Sequence, residues 1–228
     1  MWVLAGVAAL IAVLFAAAVI SWRRDRRGAA ALERWAAGNG WSFSLDAAGG
    51  PPWAGWSLAM IRETASTLQP GDELPVKDVG PVLTGVVDGT EVSLAVARWI
   101  QGVDESGGST VPYASSLFVA VRVPRTLPPM TVRKQLATRE RGAGDQFTDR
   151  FSVTPDEALT QIPEALRQAH LAREVSPWTV SDGRLVSICR HQLYDAYPLP
   201  KTLPPAITRA LRAAELVRPT VGQDSESG

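Results

Sequence analysis

Residues 2–22, WVLAGVAALIAVLFAAAVISW, carry no charge and no proline, and the next five residues, RRDRR, hold four arginines. No other feature constrains the chain as strongly. A helix rises about 1.5 Å per residue, so the run spans roughly 30 Å, the thickness of a bilayer's hydrocarbon core. Trp2 and Trp22 stand at its ends, where indole rings favour the headgroup layer. A cleaved signal peptide is the main rival reading, with Ala16-Ala17-Ala18 as small residues for cleavage. Such a peptide carries its positive charge ahead of the apolar run, whereas here the charge follows it. A buried soluble helix is the other rival, and it is ordinarily shorter and less free of charge. We therefore expect a transmembrane helix over 1–22.

Orientation follows from Arg23, Arg24, Arg26 and Arg27, since arginines flanking a membrane helix stay on the cytoplasmic side. The N-terminus is expected outside and the body of the chain in the cytoplasm. With Trp2 and Trp22, these arginines form the expected membrane interface, each gaining about 1 kcal/mol from anionic lipid headgroups. Ala8, Ala12 and Ala16 recur every four residues, a spacing that lets two helices approach as a homodimer. An alanine-rich helix also produces that spacing by chance, and the motif with glycine at both positions is absent.

The 23 basic residues balance the 23 acidic ones, so nothing in the charge calls for nucleic acid. Cys189 is the single cysteine and has no internal partner, which fits a reducing compartment. Beyond the anchor we expect a basic juxtamembrane helix over 23–40, one α+β domain over 41–219 and a disordered tail over 220–228. Leu32, Trp35 and Ala36 share one face of the juxtamembrane helix, and Gly38-Asn39-Gly40 ends it.

Two Asp-Gly pairs give the clearest signals in the body. Asp88-Gly89 lies between β-rich runs over 82–100, and Asp182-Gly183 between 178–180 and 184–189, so each reads as a tight hairpin. Alternation predicts further strands at 41–45, 116–124 and 147–153, the last with Phe147, Phe151 and Val153 on one face. Thr154-Pro155-Asp156-Glu157 reads as a capping box opening a helix with a stripe of Leu159, Ile162, Leu166 and Ala169, which kinks or restarts at Pro163. A last helix starts near Thr202, buries Ile207, Ala210, Leu211 and Ala214, and stops before Pro219. Hairpin-linked strands with two or three helices imply an α+β domain on a mainly antiparallel sheet.

Candidates for chemistry are few. Cys189 and His191 sit two apart on a strand and so share a face, and a base beside a thiol is what a hydrolase nucleophile needs. No carboxylate stands at a spacing that would orient that pair, so Cys189 reads as a small core residue and no catalytic residue is assigned. His170 reads as an amphipathic residue at the domain edge. Asp156 and Glu157 are explained by the positive end of a helix, and Asp145 and Asp149, with arginine neighbours, by a solvated rim. Gly142-Ala143-Gly144-Asp145 is too short for a phosphate loop. The basic run from Arg133-Lys134 to Arg141 reads as a solvated loop. No spacing suggests a metal site or a cofactor. Trp53 and Trp56, on a Gly/Pro-rich loop, form either a candidate binding surface or a lid packed on the sheet, and the lid is the preferred reading.

The order of these segments is similar to that of a group of uncharacterised actinobacterial single-pass membrane-anchored proteins. It rests on the apolar start, ALERWAAGNGWSF, VLTGVVDGTEVSLAVARW, DQFTDRFSV and WTVSDGRLVSICR, and spans nearly the whole chain. The Ala- and Arg-rich composition agrees. The resemblance implies the same topology and carries over no site residues, because the group has no established activity. The expectation is a membrane-anchored cytoplasmic interaction module with a protein partner. A lipid-headgroup or small-molecule binding domain and a hydrolase-like enzyme stand as alternatives.

Overall fold

The computed structural model describes residues 15–16, 19, 23, 25–68, 76–100, 113–135, 145–190 and 197–218. Its centre is an eight-stranded sheet: β1 (Ser42–Ser44), β2 (Val76–Val87), β3 (Thr90–Ile100), β4 (Tyr113–Arg122), β5 (Met130–Lys134), β6 (Phe151–Thr154), β7 (Trp178–Ser181) and β8 (Arg184–Arg190). The spatial order is β1-β2-β3-β4-β8-β7-β5-β6, and every neighbouring pair is antiparallel. The α+β domain on an antiparallel sheet is thus present; among the described residues the helices are α1 over 25–38, within the stretch read as a juxtamembrane helix, and three in the body, α2 (Leu58–Leu68), α3 (Glu164–Leu171) and α4 (Leu203–Val217).

Both Asp-Gly turns form as read. Asp88 and Gly89 have φ of 48° and 75°, Asp182 and Gly183 51° and 75°, the paired positive angles that match the twist of the flanking strands. Alternation along each strand then sorts side chains onto two faces. Val92, Leu94, Val96, Leu117, Val119, Val121 and Leu185 project to one face, which α1, α3 and α4 cover. Ala95, Ala97, Phe118, Ala120, Val186 and Ile188 project to the other, which α2 and the turn Pro52–Ala54 cover. The first face carries branched aliphatics, whereas the second has alanine at 95, 97 and 120, so α2 and Trp56 can sit close to the backbone there. The result is three layers with a core on each side of the sheet.

Several expectations need correction. The strand read over 147–153 starts only at Phe151, because Asp145 and Phe147 carbonyls capture the amides of Asp149, Arg150 and Phe151 in a helical turn. The capping box does not form: Thr154 is still in the ladder opposite Thr131, Pro155 caps a 3-10 segment (Asp156–Gln161), and α3 begins after Pro163. Arg133 and Lys134, read as the start of a solvated loop, belong to β5, which pairs with both β6 and β7. The juxtamembrane helix is no separate element. Leu32 and Ala36 are fully buried in the first core, Trp35 packs against it, and Gly28 lies against the Tyr197 ring.

Candidate functional site

At the N-terminal end, Trp2, Trp22, Arg24, Ala8 and Ala12 lie outside the described residues. Phe15, Ala16, Val19, Arg23 and all of 25–38 are helical, and Arg23, Arg26 and Arg27 are exposed. Among the described residues no helix is long and apolar enough to cross a membrane, and most of the apolar run 2–22 lies outside them.

Trp53 and Trp56 do not share a surface with the arginines. Both belong to the second core, on the face of the sheet opposite α1. Trp56 is buried and its indole N–H donates to the Ser93 hydroxyl at 2.7 Å, an interaction that the small residue at position 93 makes room for. Trp53 is half-buried against the same cluster. Gly55, at φ +61°, turns the chain between them. This loop lies over the sheet as a lid.

The nucleophile reading loses its chemistry here. Cys189 pairs with Leu117 in the ladder and packs against the first core, while His191 lies outside the described residues. Burial pushes the Cys189 thiol up, an effect that the Ser176 hydroxyl at 3.9 Å and Arg209 offset only in part. A thiol held protonated is a poor nucleophile. His170, read as an edge residue, is instead wholly buried, with its Nε2 accepting from the Trp178 indole at 3.0 Å. Asp145 bonds the Phe147 amide and Arg167, at 3.1 and 3.3 Å, which accounts for it structurally. Among the described residues no group of three or more His, Cys, Asp or Glu is placed to hold a metal ion.

What the structure assembles, and sequence reading missed, is a cleft of about 390 Å³ on the second face, between α2 and strands β5 and β7. Thr64 and Thr67 line it from α2, and Thr131, Thr179 and Ser181 from the strands. The Thr131 and Thr179 hydroxyls meet across the ladder at 2.9 Å. At one end stands Arg184, its Nη1 donating to the Ala54 carbonyl at 2.9 Å. These residues come from four elements scattered over more than a hundred positions, so no local motif could have announced them.

No protein-family model matches the chain, and neither a curated protein nor a solved structure shows significant similarity to it.

Proposed function

We propose that this chain is a single-pass membrane protein whose α+β domain stands at the cytoplasmic face and works as a non-catalytic interaction module. The observation that carries the reading is the burial of Leu32 and Ala36. The helix that follows the apolar run, α1, is part of the domain's own core. A membrane helix over 2–22 would lead straight into it and fix the height and tilt of the domain against the bilayer. A tether that rigid suits a domain that meets a partner already at the membrane, since it forbids reaching. The exposed arginines at 23, 26 and 27 fit anionic headgroups without help from the tryptophan loop on the far face.

The test is fractionation of the full chain beside a variant lacking residues 2–22, with membranes washed in alkaline carbonate and cross-linked before solubilisation. The full chain is expected to stay with the membranes and to give an adduct of one defined mass, and the shortened variant to be released. Release of the full chain by carbonate would contradict the anchor, and a featureless smear of adducts the interaction role.

A further inference from the structure

We infer that the cleft between α2 and the β5–β7 strands is a binding site for a small oxyanion, a phosphate- or carboxylate-bearing molecule of metabolite size. The argument starts from the charge of Arg184. Its side chain is only 16% exposed, yet among the described residues the hydrogen bond it donates goes to the neutral Ala54 carbonyl. Asp182 is 3.9 Å from Nη2 but 85% exposed, so water screens that pair. The Nε–H is buried with no hydrogen-bond partner among the described residues. A guanidinium withdrawn from water with so little compensation is costly, and an anion beside it would remove the cost.

The surroundings are built to hold that charge and to receive a ligand. The Pro52–Ala54 turn folds over the guanidinium, and Gly55, at φ +61°, is where any Cβ would collide with Nη1. Beyond Arg184 the cleft presents the hydroxyls of Thr67 and Ser181, donors that suit the oxygens of a polar molecule, beside the mutually bonded Thr131 and Thr179. Its volume, about 390 Å³, fits a small metabolite. Glu63 and Asp182, exposed at the rim, place negative charge at the entrance. That rim disfavours an extended anionic surface such as a bilayer or a nucleic acid and admits a compact ligand carrying one anionic group. The site lies on the opposite face from α1, so it is independent of the membrane reading.

Thermal unfolding of the detergent-solubilised full chain, followed by circular dichroism, tests this. Inorganic phosphate forms one arm and succinate the other, each against chloride at matched ionic strength, so the arms separate phosphate from carboxylate recognition. At least one anion is expected to raise the midpoint saturably by about 3 °C or more. Arg184→Lys keeps the charge but loses the planar fork, and should weaken apparent affinity at least tenfold. Thr67→Trp fills the cleft from α2 without touching Arg184, and should abolish the response. If Arg184→Lys does not fold, Thr67→Trp decides alone. No rise with either anion, or a rise that survives the substitutions, would overturn the site. A chain that washes off membranes would leave this result unchanged.

Discussion

His170 shows how one buried ring sets a pH limit on the fold. Trp178 donates to Nε2, so the neutral imidazole carries its proton on Nδ1, and that N–H is buried without a partner. The Phe147 and Phe151 rings, with centroids 5.8 and 4.9 Å away, help shut the imidazole off from water. Burial accordingly lowers the pKa from 6.5 to about 4. Because the folded value lies below the unfolded one, the unfolded chain takes the proton first. Stability from this group is complete above pH 6.5 and is lost as the pH falls toward 4, by about 3 kcal/mol in total. Denaturant unfolding across that window should show the decline, and His170→Gln, which keeps an acceptor but does not titrate, should flatten it. An unchanged slope in the variant would show that other groups are responsible. The sequence gives no hint of this burial. His170 sits at the end of a short amphipathic stretch, and Trp178, Phe147 and Phe151, which enclose it, lie on other elements.

At the scale of elements, the two Asp-Gly hairpins make a controlled pair. Both glycines have φ of 75°, so alanine at either position meets the same backbone penalty, about 1 kcal/mol. Their surroundings differ. A Cβ at Gly89 meets nothing within 4 Å, whereas at Gly183 it meets the Arg125 side chain at 2.7 Å and the Val123 carbonyl at 3.3 Å. Gly183→Ala should therefore destabilise the chain by about 1 kcal/mol more than Gly89→Ala, measured by chemical denaturation. Equal losses would mean that the Val123–Gly183 packing yields freely. The hairpins were legible because Asp-Gly chemistry is local: two residues decide the turn. β5 was not, since Met130–Lys134 is a strand only by virtue of β6 and β7 on its two sides. The capping pattern at Thr154 was overruled for the same reason, the ladder with Thr131 holding the chain extended.

For the whole molecule, the strand order explains what a linear reading could and could not reach. After β4 the chain places β5 and β6 at the far edge and only then returns with β7 and β8 to fill the gap. The class of fold follows from hairpins and alternation, but this closure, and with it the Arg184 cleft, depends on contacts distant in sequence. Helix α1 is the opposite case: the Leu32, Trp35 and Ala36 stripe was readable, and its burial ties α1 to α4 in a single core. On the proposed membrane reading, that tie makes the side of the membrane decisive, because α1 cannot be separated from the domain. Paired reporters fused behind residue 228, one active only in the cytoplasm and one only after export, measure this directly. The account predicts activity from the cytoplasmic reporter alone; activity from the exported reporter, with the cytoplasmic one silent, would contradict it.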